Sequence, residues 1–598
     1  MQKNSNQNWD AIVIGAGLGG LSSAAYLAAC GKRTLLLERH SILGGSSHVY
    51  RRKKKWEFDC GVHYIGDCGP DGDISTLMRG LGLDQRIEWL QLDPKGFDTV
   101  IAPDMEIRTP AHWDEYLENL IRAFPKDERG LRYYISVIRR IGENIDHSLT
   151  LTSNEGWANL AKKSGWAAPW IMAPHISLMI ACRLSPKAIL TLSLIDGAVA
   201  TTPQVTPVGM VALLIGHFIG GGAWYPRGGG QILSAGFAEV IQSHGGKIRT
   251  QTEVERIQIE NGAVKGVVLK DGEILKTNVV VAAGDIKRTY NDLVGLENLP
   301  SSYARRVKKW KMAPPVINAC FGINMDVSKT QDSNFYVIPN WDMAKSLLSL
   351  NNAVSRLVRN AGNRAPIEWA KDFATNQPGF VQCSTRRELE SGRTAPVGHA
   401  AIEVQTIAPS SPKLWGFDGY DIAKGTYRRN SQYAEIKEII TEGMLNRIER
   451  AYPGASAKVE WAELGTPASQ ERFTFTSDGA AMGLEPRISQ FGPFRPKSKT
   501  KIKGLFVAGT STVWGPGTAG SMLSGLHAAS TITGRDLQAE IRSGAVLADN
   551  SRFSSWNKDF DAYKATRMLG RESSLKNTDE EEAINSSPIA LKKSLLDV

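Results

Sequence analysis

The run Asp10-Ala11-Ile12-Val13-Ile14-Gly15-Ala16-Gly17-Leu18-Gly19-Gly20-Leu21 constrains this chain more than any other stretch. An apolar, β-branched strand enters a glycine-rich turn, and a helical pattern follows from Ser22 to Cys30. A second apolar strand, Arg33 to Leu37, ends in Glu38. A strand–turn–helix–strand unit of this kind holds a dinucleotide. Gly15 allows the tight turn, Gly17 lets the backbone approach the pyrophosphate, and Gly20 lets helix and strand pack closely. The helix N-terminus offers N–H groups and its positive dipole end to the phosphates. Glu38 falls where a carboxylate accepts from both ribose hydroxyls and repels a 2′-phosphate.

At 598 residues the chain can form two or more domains with large cores. Its formal net charge of +10 suggests either an anionic partner or simply a soluble basic protein. Cofactor phosphates or an anionic membrane surface would be such a partner. With no finger, homeodomain or RNA-recognition signature, nucleic acid is not the expected partner. Six scattered cysteines without a C-x-x-C pair argue against a zinc site or a disulfide framework and for a reducing compartment. Met1 to Trp9 is short and polar with no apolar core, so the expected location is cytoplasmic or peripheral to a membrane, not secreted.

The nucleotide domain reads as discontinuous, in pieces 1–100, 224–300 and 495–540. In the second piece a helix from Ile232 to Ser243 precedes an alternating strand, Ile248 to Val254. Turns at Glu260-Asn261-Gly262 and Lys270-Asp271-Gly272 then join further strands, and the buried strand Val279 to Ala283 ends at Gly284. In the third piece a buried strand around Leu505 to Gly509 precedes Gly515-Pro516-Gly517-Thr518-Ala519-Gly520, which opens a helix through Thr533. The expected fold class is α/β, a Rossmann-type nucleotide domain with an interleaved mixed α+β substrate domain. Residues 101–223 read as an apolar substrate or cap region, 301–494 as the substrate domain and 541–598 as a polar, mobile tail. Gly165 to Cys182 carries no Asp, Glu, Lys or Arg, and Val208 to Ile219 is again apolar. Neither is a clean run of about twenty residues, so no transmembrane helix is expected. Two readings stand: core helices lining a greasy tunnel, or a monotopic patch dipping into a bilayer. The tunnel is favoured, with the patch as its mouth.

Three segments carry a resemblance. The first is the N-terminal fingerprint running on into Gly44-Gly45 and Phe58-Asp59-Cys60-Gly61-Val62-His63-Tyr64-Ile65-Gly66. The second is Tyr225-Pro226-Arg227-Gly228-Gly229, and the third is Gly504 to Gly509 with the glycine-rich helix start after it. On these the chain resembles the polyene-handling branch of the amine-oxidase-type flavoproteins: phytoene desaturases, carotenoid isomerases and retinol saturases. The resemblance implies FAD bound in an extended form. Gly15, Gly17 and Gly20 would contact the pyrophosphate, with Gly19 beside them, and Glu38 and Arg39 would lie at the adenosine ribose. Gly44 and Gly45 would lead towards the flavin, Val254 would face the adenine, and Gly284 would line the same site. Gly509, Thr518 and Ala519 would sit near the isoalloxazine, where a helix N-terminus stabilises negative charge. The implied reaction is hydride transfer at a C–C bond of a hydrophobic polyene, a carotenoid or retinoid, giving saturation or desaturation. The runner-up is redox-neutral double-bond isomerisation by reduced FAD, and a polyunsaturated fatty acid suits either. A rival of another class is a GDI-type escort that binds prenyl lipids without flavin; Gly44-Gly45 and the C-terminal glycine helix speak against it. With no second G-x-G-x-x-G, the electron donor or acceptor stays open.

The candidate catalytic residues are His63, Tyr64 and His217. His63 and Tyr64 either face the flavin and handle a proton or serve as structural residues. His217, in an apolar helix, either lines the tunnel or is simply packed. The basic run Arg51 to Lys55 reads as a contact for lipid headgroups or phosphates, or as a solvated hairpin.

Overall fold

The computed structural model describes residues 8–145, 154–347 and 365–570. Two sheets organise them. Numbered in chain order, their strands are β1 (Ala11–Ile14), β2 (Thr34–Leu37), β3 (Asp98–Ala102), β4 (Met105–Thr109), β5 (Lys247–Arg249) and β6 (Val280–Ala282). There follow β7 (Val316–Ile323), β8 (Asn334–Val337), β9 (Gly379–Cys383), β10 (Ala400–Ile407), β11 (Val459–Gly465) and β12 (Leu505–Val507).

The nucleotide-domain sheet is wholly parallel, in the order β5-β2-β1-β6-β12. Its central strands are apolar along their length because both faces are covered. Val13, Leu36 and Val281 face a helical layer containing α1 (Leu18–Ala29). Ile12, Leu35 and Val280 face an antiparallel meander of Val254–Glu260, Ala263–Leu269 and Ile274–Lys276. The expected strand from Ile248 to Val254 is broken, which corrects the sequence reading. Gln251 takes a positive φ of 50° and Thr252 N–H donates to Glu38 O at 2.8 Å, so the chain leaves the sheet. Val254 therefore opens the meander instead of ending β5.

The second sheet runs β11-β7-β10-β9-β8-β3-β4, antiparallel except for the β3–β8 pair. Strands from residues 98–109 thus complete a sheet whose other strands come from 316–465. On its flank lie α2 (Pro186–Gly197) and α3 (Val208–Gly221). The helix α4 (Gly230–Ser243) returns the chain to the nucleotide domain, and α5 (Gly517–Thr533) closes it. No helix among the described residues is long and apolar enough to cross a membrane.

The segment read as a mobile tail is packed as far as Gly570. A short helix, Leu537–Arg542, buries Leu537 and Ile541, and Leu547 N–H donates to Gly80 O. Its polar composition misleads because scattered apolar residues, Leu547, Phe553, Trp556 and Phe560 among them, pack against the nucleotide-domain core, while Asp561 forms a two-pronged ion pair with Arg51. The remainder, 571–598, lies outside the described residues, as does 1–7. The basic run Arg51 to Lys55 forms a hairpin, Val49–Arg52 with Trp56–Asp59, whose charges are largely satisfied internally. Arg51 pairs with Glu57 and Asp561, Arg52 with Glu463, and Lys55 with Glu460.

Candidate active site

The two glycine turns meet. Gly44 N–H donates to Ala16 O at 2.8 Å, and Gly17 and Gly44 form a parallel bridge. Gly15, Gly44 and Gly45 all hold positive φ, a conformation that L side chains resist. A methyl group on Gly17 would meet nothing within 4 Å, whereas on Gly20 it would lie 2.0 Å from Gly15 O. Gly20 is thus a packing residue and does not line the cavity, which corrects its expected place at the pyrophosphate. Gly15, Gly17 and Gly19 do line it.

Glu38, at the end of β2, accepts from Ala16 N–H and His40 N–H, each at 2.7 Å. Burial pushes its carboxyl above the usual range, while the two N–H donors hold the carboxylate in one orientation. Arg39 donates to Arg472 O at 2.9 Å and lies over the Phe475 ring, which also carries Arg288. Val254 and Gly284 line the same wall. Opposite, α1 and α5 touch through small residues: a methyl group on Gly525 would lie 2.3 Å from Gly19 O, and Ser22 Oγ donates to Met522 O. That contact brings two helix starts to one cavity. Neither start has a side-chain cap, so their N–H groups are open to an anionic ligand. Gly509, Thr518 and Ala519 line this end, and the buried Trp514 Nε1 has no hydrogen-bond partner. Open space at Gly17, Gly284 and Gly517, uncapped helix starts and an oriented carboxylate suit an extended dinucleotide such as FAD.

The cavity, about 750 Å³, continues away from the glycines between α2, α3 and the second sheet. Met210, Leu213, Leu214 and His217 recur at helical spacing and present one face of α3 to it. The apolar run from Val208 therefore lines a tunnel. Gly165 to Ala181 instead leaves Trp166 and Ile180 exposed at the surface.

All three candidate catalytic residues line the cavity. The His63 ring meets Phe380 edge-on, and neither nitrogen has a partner at hydrogen-bonding geometry, although the Gln405 amide is close by. Burial, then Arg387, pushes His63 down to about 3, so it is neutral near pH 7. Burial likewise takes His217 down to about 4, and its backbone packs against Gly66. Tyr64 is stacked between Phe218 and Phe380. Its hydroxyl donates to Asp98 Oδ2 at 3.1 Å and lies 3.4 Å from the Tyr336 hydroxyl. Asn334 Nδ2 donates to the other Asp98 oxygen. Burial raises Asp98 to about 7 against those hydrogen bonds, and Tyr64 keeps its proton well above the usual range. The sequence reading missed Asp98 and Tyr336. A signal existed, since Asp98 is a lone charge inside the apolar run Phe97 to Ala102.

Comparison with known proteins agrees with this geometry. Residues 13–81 match the family model of an NAD(P)-binding Rossmann-like domain, and 147–348 that of an FAD dependent oxidoreductase. The chain is 26% identical over 559 residues to all-trans-retinol 13,14-reductase from Rattus norvegicus, covering 89% of this chain and 87% of that protein. It is 25% identical over 569 residues to prolycopene isomerase 1, chloroplastic, from an Oncidium hybrid cultivar, covering 92% and 88%. The solved structure of cyclohexylamine oxidase from Brevibacterium oxydans shares the fold, with a TM-score of 0.56 at 15% identity over 88% and 99% of the chains. Fold, site and comparisons define an FAD-dependent oxidoreductase, and the flavin-free escort reading falls away. Within that class the chain is similar to all-trans-retinol 13,14-reductases and prolycopene isomerases over about nine-tenths of its length.

Proposed function

We propose that this enzyme acts on a C–C double bond of a hydrophobic polyene, a retinoid or carotenoid, by hydride transfer in the direction of saturation or desaturation. One observation carries the reading: a single cavity joins the glycine-lined cofactor end to a wall of Leu190, Leu194, Met210, Leu213, Leu214, Phe218 and Phe380. Such a wall can desolvate a long apolar chain and offers it no charge. Bound FAD would supply the hydride chemistry, leaving the protein to fix distance, exclude water and manage one proton. For that proton the best supported group is Tyr64. When Asp98 is protonated, its O–H donates to Tyr64 Oη and frees the phenolic proton to point into the cavity. Asp98 then replaces whatever Tyr64 gives up. Neutral His63 is a poor acid near pH 7, and His217 shapes the wall.

The similarity to a prolycopene isomerase supports redox-neutral isomerisation as the second reading. Product analysis separates the two. Reduced and oxidised holoenzyme are each incubated anaerobically with all-trans-retinol and, separately, with a poly-cis carotene. A product heavier by two hydrogens from the reduced enzyme marks saturation, one lighter by two from the oxidised enzyme marks desaturation, and an unchanged mass with altered cis–trans geometry marks isomerisation. Recovery of both polyenes unchanged by FAD-loaded enzyme would overturn the proposal. We also propose peripheral contact with an anionic membrane through exposed Trp166 and Ile180. Tyr133 packs beside Trp166 and its hydroxyl accepts from Trp170 Nε1, while Lys162, Lys163 and Arg183 lie within four residues of Trp166 or Ile180 in the chain and Arg140 donates to Lys163 O.

A further inference from the structure

The second nucleotide-binding loop, residues 38–48, does not stand alone against the first. A C-terminal strap, residues 561–570, crosses it. Met568 N–H donates to Ser41 O at 2.8 Å and Leu43 N–H to Thr566 O at 3.1 Å, so Ile42 and Arg567 form an antiparallel bridge. On the other side, Thr250 N–H and its hydroxyl both donate to Leu569 O. The strap is therefore stitched between the loop after β2 and the turn after β5, the two segments that flank Glu38.

Its side chains divide by role. Thr566 is fully buried and accepts from Gln231 Nε2, which also donates to Leu43 O. Asp561 takes both prongs of the Arg51 guanidinium. These two are anchors. Tyr563 and Arg567 instead line the cofactor end of the cavity beside Gly44, Gly45 and His48. Arg51 and Arg567 lie 4.6 and 5.5 Å from the Tyr563 ring centre. A guanidinium at this wall matches the planar, bidentate demands of a phosphate.

We propose that the strap is a third segment of the FAD site, clamping the second glycine turn and bringing Arg567 to the phosphate–ribose part of the cofactor. This rests on FAD being the cofactor. The strap lies some five hundred residues beyond the fingerprint it completes, within a stretch whose composition reads as tail.

The test is a fluorescence titration of full-length apoprotein with FAD and, in parallel, with riboflavin, which lacks the phosphates. R567A should bind FAD about ten- to a hundredfold more weakly than wild type, as expected for loss of a charge-assisted contact. Its riboflavin affinity and apoprotein melting temperature should not change, and R567K should restore part of the loss. A chain ending at Gly570 should bind FAD as the full chain does. R567A binding FAD as tightly as wild type would overturn the proposal, as would equal losses for FAD and riboflavin. Wild type that binds no FAD would instead sink the flavin reading itself, so the two failures are distinguishable.

Discussion

Gly17 and Gly20 lie one helical turn apart, yet the structure gives them opposite reasons for being glycine. Space opens in front of Gly17, while the Gly15 carbonyl presses against Gly20. G17A should therefore leave apoprotein stability nearly unchanged but weaken FAD binding. G20A should cost about 1–3 kcal/mol of stability through overpacking before any cofactor is added. Denaturant melts of both apoproteins check this, and equal stabilities would contradict it. Asp98 offers a test by pH. Its carboxyl is raised from 3.8 to about 7, so the folded state holds a proton that the unfolded state has lost over that window. Its stabilising contribution is full below about pH 4 and is lost as pH climbs through about 7. Buried Asp59 and partly buried Asp67, both raised to about 6, add a slope of the same sign, so the difference between wild type and D98N isolates Asp98. Urea midpoints should fall less steeply from pH 5 to 8 in D98N. Under turnover, D98N should also lose the limb near pH 7, and Y64F should slow the proton-dependent step by about 10²–10⁴-fold without weakening polyene binding.

Among elements, the contact between α1 and α5 positions the cofactor end. Two backbones approach closely because Gly19, Ser22 and Gly525 face each other. G525A should push the helices apart, lower stability by about 1–3 kcal/mol and release FAD, read as a joint drop in melting temperature and bound flavin. Loss of stability with full flavin retention would show that the contact does not set the site. Much at this scale was legible from the residues. Local rules produced β1, the glycine turn, α1 and β2, because strand burial, positive φ and helix initiation depend on near neighbours. What escaped depends on distant partners. The break before Val254 follows from a hydrogen bond to Glu38 O. The partnership of Tyr64 with Asp98 joins residues from separate elements, and that of Ile42 with Arg567 spans nearly the whole chain. No period or spacing encodes such pairs.

At the scale of the whole molecule, the parallel sheet holds the dinucleotide end and the antiparallel sheet with α2 and α3 encloses the apolar end. The exposed patch at Trp166 and Ile180 bears on how a water-insoluble substrate arrives. Each side chain inserted into lipid contributes about 1.5–3 kcal/mol, so the W166A/I180S double variant should bind phosphatidylserine-containing vesicles more than tenfold more weakly. High salt should weaken the wild-type protein too. Vesicle binding unaffected by both changes would show that the patch does not dock on a membrane. Whether one cavity serves both FAD and a polyene can be read in a single anaerobic absorption record of dithionite-reduced, FAD-loaded protein mixed with the polyene. The polyene bands should change only when FAD is bound. The oxidised-flavin double band should return in step with them if the reaction is saturation. Protein that stays colourless after incubation with FAD, or polyene bands that change equally in the apoprotein, would contradict a shared cavity.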